Sequence, residues 1–195
     1  MARIALNQEK IVLATIDLAK KIGLSNVSFP RLAEYFEIKS PSLYNHFKNM
    51  EEVRVATAVY VHRILNHQLT QSMIAKKPAD ALHAYAECYR NFADEYAAVY
   101  ELINMIRQTR NEELIELSNE NIRLIGRSLE SFNFSRAEVL HKSRAFRSSL
   151  HGFVTLSQLG YFQRGEASKE DSFEYMVAEF LETLTDKTSP LIEKR

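Results

Sequence analysis

The sequence predicts an all-α protein, and three observations carry that reading. Only five glycines and four prolines occur among 195 residues, while 46% of the chain is hydrophobic. Few breakers and abundant apolar side chains favour helices around a sizeable core. Apolar residues recur at three- and four-residue steps along most of the length, whereas strand-like alternation, internal repeats and low-complexity tracts do not occur.

The elements follow in order. Ile4, Ile11, Ala14, Leu18 and Ile22 form a helical stripe over residues 7–23, and Gly23 stands where that helix ends. Ser28 starts a short second helix with Leu32, Ala33 and Phe36 on its inner side, and residues 37–39 make the turn. Ser40 is placed to cap a third helix, with Pro41 in the first helical position where its missing N–H is not needed. That helix ends near Phe47. Asn49 and Glu52 have the spacing of a capping box for a fourth helix, which runs to about Ile74 before Lys76-Lys77-Pro78. Helices are then expected over about 79–95, 97–108, 111–132, 136–163 and 169–186, with Phe132-Asn133-Phe134-Ser135 and Arg164-Gly165 among the separators. About nine helices result: a helix-turn-helix head over 1–48 and a larger helical body over 49–195.

Charge divides along the chain although its net value is zero. Residues 1–50 hold seven basic side chains against four acidic ones, and the remainder carries the opposite offset. A basic N-terminal part is what a nucleic-acid contact requires. One cysteine, Cys88, excludes an internal disulfide framework, and its place on a helix between Glu87 and Tyr89 fits a small buried filler better than a redox-sensing thiol. Neither a signal-peptide pattern nor a run of ~20 apolar residues occurs, so a cytoplasmic protein without a membrane association is expected.

Enzyme chemistry finds no support. The chain lacks a glycine-rich phosphate loop, a His-Glu-x-x-His pair and a Gly-x-Ser-x-Gly elbow. Glu138 and His141 have the Glu-x-x-His spacing of di-iron bundles, but no second such pair exists to complete a site. No metal or other cofactor is expected.

Residues 28–48 do carry a functional pattern. Two short helices joined by a tight turn, the second with a polar, proline-started N-terminus, fit a helix-turn-helix. Ala33 is small where the two helices approach, and Leu32, Ile38 and Leu43 fill the wedge between them. Lys39, Pro41, Ser42 and Asn45 project where base edges would lie. Tyr44, His46 and Lys48 offer donors suited to phosphate oxygens, with Ser28 and Arg31 on the preceding helix.

The same residues resemble the hallmark of the TetR family of bacterial regulators. Leu43-Tyr44-Asn45-His46-Phe47 reproduces its Leu-Tyr-x-His-Phe run, and Glu51-Glu52-Val53 its next helix start. The match extends over about residues 7–55. Farther on, Leu150-His151-Gly152-Phe153 and Gln158-Leu159-Gly160 resemble the regulatory domain of a TetR subgroup with a His-Gly pair in its penultimate long helix. Two positions depart from the family pattern: Glu37 replaces the usual turn glycine, and Met50 a common lysine.

The resemblance implies a ligand-responsive regulator, most simply a repressor, that binds a palindromic double-stranded DNA operator as a homodimer and leaves it when a small-molecule effector binds. The alternative is a helix-turn-helix scaffold that has lost operator binding and serves as a partner-binding module. Tyr85, Tyr89, Phe92, Tyr96, Tyr100, Met105 and Ile106 form an aromatic-rich run that could line an effector cavity, with His151. Leu140, Phe146, Phe153, Leu156, Phe173, Met176 and Phe180, on the last two long helices, are candidates for a dimer contact.

Overall fold

A computed structural model describes residues 6–105, 109–163 and 166–185. Ile4, Ile106 and the Arg164-Gly165 separator lie outside them. Among the described residues the chain is all-α, with seven α-helices, three 3₁₀ segments and no strand. They divide into two compact units, the first within 1–66 and 95–120, the second within 67–94 and 121–195.

Helix α1 (Gln8–Ile22) is bounded as its sequence predicts. The Asn7 carboxamide oxygen accepts the Lys10 N–H, and Gly23, at φ 80°, donates its own N–H to the Ala19 carbonyl. Ile11, Val12, Ala14, Ile16 and Ala19 are buried, but Ile22 faces solvent. A 3₁₀ turn (Leu24–Asn26) leads to α2 (Phe29–Tyr35), whose cap position is Ser28 without a side-chain cap bond. Glu37 then takes φ 53°, the left-handed turn conformation that glycine adopts freely and other residues at a cost of about 1–2 kcal/mol.

The expected third helix is a 3₁₀ segment (Ser40–Asn45), and the cap position falls on Lys39 with no side-chain bond. Ser40 therefore does not cap it. Pro41 removes one donor, and the segment closes through three-residue bonds, Ser42 N–H to Lys39 O and His46 N–H to Leu43 O. Tight, short geometry of this kind is common where a full α-turn is not supported.

Helix α3 (Met50–Met73) starts as Asn49 implies, with its side-chain oxygen accepting the Glu52 N–H at 2.9 Å. The returning bond is displaced by one residue, since the Glu52 carboxylate accepts from Lys48 N–H. Helix α4 (Pro78–Glu95) and a 3₁₀ segment (Ala97–Met105) follow. Helix α5 (Glu112–Glu130) begins behind Asn111, whose side chain accepts the Leu114 N–H.

Helix α6 (Arg136–Gln158) opens on a complete capping box between Ser135 and Glu138. That role occupies Glu138 in place of the metal ligation its spacing with His141 could suggest, and its carboxyl titrates below the ordinary range because Ser135 bonds it. The helix ends five residues before the expected boundary. Gly160, at φ 80°, donates to Ser157 O and Tyr161 N–H reaches Leu156 O, the paired bonds of a Schellman stop. Helix α7 (Lys169–Thr185) is the last described element.

In the first unit α1 and α2 pack together, α2 packs on the 3₁₀ segment 40–45, and α1 packs on the segment 97–105. In the second, α6 and α7 pack together over Phe146, Leu150, Val154, Phe173 and Val177.

Candidate nucleic-acid interface and effector region

A buried wedge positions the head residues. Leu32, Ala33, Leu43 and Phe47 are buried, and Ile38 donates its backbone N–H to the Ala33 carbonyl at 2.9 Å. With Leu43 and Phe47 turned inward, Tyr44 and Asn45 must face out. Tyr44 is 58% exposed, yet its ring is fixed edge-on against buried Phe29 at 4.7 Å and 85°. Its hydroxyl is thus held at the surface by a ring that cannot swing freely.

Lys39, Pro41, Asn45 and Lys48 are exposed, and Ser28, Ser42 and His46 half-buried. Arg31 is exposed and bonded to Glu34 at 3.2 Å; Lys48 Nζ lies 3.8 Å from Glu52. Such surface pairs are worth little and exchange readily for a phosphate. The residues expected from the sequence as DNA contacts therefore lie along the exposed sides of α2 and the 40–48 turn.

Sequence reasoning missed two features of the head. Gln8 donates its side-chain N–H to the His46 carbonyl at 2.9 Å, tying the start of α1 to the recognition turn across 38 positions. Asp17, Lys21 and Tyr35 form a second clamp, with Lys21 Nζ 2.8 Å from Asp17 and 5.6 Å from the Tyr35 ring centre. The Lys21 bond holds the Asp17 carboxyl below its usual value, and the Asp17 bond raises the Tyr35 hydroxyl. The Gln8 tie has no local pattern because it joins separate elements; in the clamp, Asp17 and Lys21 have ordinary i,i+4 spacing on α1, and only the Tyr35 contact reaches a second helix.

The aromatic residues expected to meet an effector fall into two groups. Tyr85, Tyr89, Phe92 and His151 belong to the second unit. There Tyr85 and Tyr89 stack at 6.3 Å, Tyr85 bonds Asn121, and the Tyr89 hydroxyl lies 3.4 Å from His151 Nδ1. Burial pushes the Tyr85 hydroxyl far above its ordinary value and lowers the His151 imidazole, with Arg147 adding to the latter. Tyr96, Tyr100 and Met105 belong to the first unit, with Tyr100 buried and the other two half-buried. Cys88 is half-buried and its thiol is raised by burial, which keeps it protonated and poorly reactive.

Two of the residues expected at a dimer contact need correction. Phe146 and Phe173 are buried within the chain itself, Phe146 stacking on Phe180 at 4.5 Å and Phe173 meeting Phe153 at 5.2 Å. Their apolar period marked the inner face of α6 and α7, so they cannot reach another copy. Leu140 and Leu156 are exposed, and Phe153, Met176 and Phe180 half-buried. Leu159, Tyr161 and Tyr175 add exposed apolar area that the sequence reading did not assign.

A space of about 260 Å³, part of it open solvent, lies over Arg90, Asp94, Phe153, Ser157 and Lys169. None of the residues expected at an effector site lines it. Among the described residues no group of three or more His, Cys, Asp or Glu side chains could hold a metal ion, and no helix is long and apolar enough to cross a membrane.

Comparison with known proteins identifies the family. Residues 11–57 match the bacterial regulatory proteins of the tetR family, and residues 82–180 match the tetracyclin repressor-like C-terminal domain. The chain belongs to the TetR family. It is 31% identical over 183 residues to YobS of Bacillus subtilis, an uncharacterized HTH-type transcriptional regulator, covering 93% of this chain and 94% of that one. Solved TetR-type structures share the fold. BioQ with its double-stranded DNA operator superposes with a TM-score of 0.67 at 18% identity, covering 92% and 98% of the two chains. A TetR variant of Acinetobacter baumannii in complex with minocycline gives 0.68 at 19% identity, covering 95% and 99%. This TetR-family chain is accordingly a transcriptional regulator with a DNA-binding head, and not an enzyme.

Proposed function

We propose that this TetR-family regulator is a cytoplasmic repressor that binds an inverted-repeat operator as a homodimer and releases it when a small molecule enters the helical body. The observation that carries the reading is the outward row Lys39, Pro41, Ser42, Tyr44, Asn45, His46 and Lys48 held on the buried Leu43–Phe47 wedge. Head (1–48) and body (49–195) are linked by α3. Asn45 and Ser42 would read base edges; Tyr44, His46 and Lys48, with Ser28 and Arg31, would meet phosphates. A turn this short reads few bases, so specificity needs two copies about 34–36 Å apart. Leu140, Leu156, Phe153, Met176 and Phe180 are the surface offered for that pairing. The BioQ–operator and minocycline complexes support DNA and small molecules as the two kinds of partner.

Effector release works through differential affinity: the effector must favour a conformation of α3 and the body that the operator disfavours. Selection of random duplexes on the purified protein at two salt concentrations tests the reading. Enrichment of a palindrome with half-sites one helical turn apart is expected. Absence of enrichment, or salt-sensitive binding without sequence preference, would favour a scaffold that has turned from operators to protein partners.

A further inference from the structure

Residues 46–49 carry the chain from the recognition turn into α3 and belong to no helix. Their backbone is nevertheless held from two sides. The His46 carbonyl accepts the Gln8 side-chain N–H at 2.9 Å, from the first turn of α1. The Lys48 N–H donates to the Glu52 carboxylate at 2.8 Å, from the first turn of α3. Between them the Phe47 side chain is buried. A carbonyl, a ring and an N–H in succession are each fixed by a different part of the first unit.

The strap does not supply the Gln8 tie by its own geometry. Leu43 O takes both the His46 and the Phe47 N–H, and among the described residues no backbone N–H donates to the His46 carbonyl. Gln8 stands in the first position of α1, and the bond from the Lys10 N–H to Asn7 Oδ1 fixes that turn. Gln8 is itself exposed, so water competes for its bond and the bond adds little to the stability of the fold. What it restricts is where the 46–48 backbone lies relative to α1. His46 and Lys48, on either side of Phe47, are the phosphate-facing groups expected at this end of the turn. Phosphate contacts set the register in which base edges are read, and a strap fixed before DNA arrives loses less freedom on binding than a loose one.

We propose that Gln8 is a positioning residue for operator binding. It holds the His46 carbonyl so that His46 and Lys48 meet the DNA backbone in one register, with Glu52 as its counterpart on α3. Gln8 acts through the strap and does not touch DNA. The inference rests on the operator reading above and adds a residue outside the helix-turn-helix, 38 positions from the group it acts on.

Full-length protein, natural and carrying Gln8→Met, His46→Ala or both, tests it against the selected palindrome and a scrambled duplex. Methionine keeps the length and helix preference of glutamine but donates no hydrogen bond. Gln8→Met should keep the melting temperature and the weak binding of the scrambled duplex. It should bind the palindrome about tenfold less tightly, about threefold for each of two heads. In the His46→Ala background the same change should cost about threefold or less, because part of what Gln8 positions is gone. Unchanged palindrome affinity would overturn the proposal. So would an equal loss in both backgrounds, which gives Gln8 a DNA contact of its own, or a loss shared by the scrambled duplex, which makes it a general support of the head. Natural protein without sequence preference refutes the repressor, and amide exchange in the DNA-free protein then decides the strap alone. Faster exchange at Phe47 and Lys48 in Gln8→Met supports it, and unchanged exchange overturns it.

Discussion

The recognition turn and the Tyr85 cluster are both aromatic-rich, yet they are built in opposite ways. In the turn, two buried residues, Leu43 and Phe47, anchor a row of outward polar ones, Tyr44 rests on Phe29 fifteen positions away, and Gln8 ties in across 38 positions. In the cluster, Tyr85 is buried and draws its partners from α5 and α6: Asn121 on one, Phe146 on the other. One region spends its polar atoms on solvent, where DNA would arrive. The other spends them on itself. A local motif can therefore announce a DNA-binding head, while an aromatic cluster in the same chain looks like ordinary core.

The largest test of this contrast is Phe146→Ala, which should cost about 3–5 kcal/mol because the ring fills space against Tyr85 and Phe180. Chemical denaturation should show that loss. If the two regions are built independently, residual folded protein should keep its operator sequence preference, and a changed preference would break the comparison. Next come the outward residues. Asn45→Ala should leave the melting temperature unchanged and cost about 1–3 kcal/mol of operator discrimination at one base position. Lys48→Ala should weaken binding evenly across sequences and make the salt dependence shallower by about one unit of slope. Identical behaviour of the two variants would show that Asn45 touches only phosphate.

Glu37→Gly should stabilise the head by up to about 1 kcal/mol, since φ 53° costs a side-chain-bearing residue more than glycine. Destabilisation would mean that the Glu37 side chain has a role the backbone angle does not reveal. The smallest effect concerns pH. His62 and His151 are both held below the ordinary value of 6.5 by burial. Between 6.5 and the lowered folded values the unfolded chain binds more protons, so stability falls as pH drops through that window. Thermal melts should follow that trend, with a shallower slope in His62→Phe.

Legibility followed the same division. The helix starts at Asn7 and Asn49, the stop at Gly23 and the inward Leu43 are written in short spacings, and the structure keeps each of them. Ser40 has the residue type of a cap but does not act as one, because the segment closes in 3₁₀ geometry through backbone bonds with the cap position on Lys39. The stop of α6 at Gly160 is hidden in the sequence because the apolar period continues through Tyr161 and Phe162. The inward burial of Phe146 and Phe173 is not legible either, because periodicity finds the apolar side of a helix without saying what covers it.

By itself, the sequence determined that this chain is all-α, where the helices behind Asn7 and Asn49 begin, and that residues 28–48 form a helix-turn-helix of TetR type. Caps, turns and wedge residues act over a few positions, so their chemistry is complete within a short window. Only the tertiary structure decided that Gln8 holds His46, that Tyr85 meets Asn121, and that Asn66 is left with a buried acceptor unmet. Each of these depends on which helices pack together, and a hydrogen bond across 36 or 38 positions leaves no periodic trace in the chain that makes it.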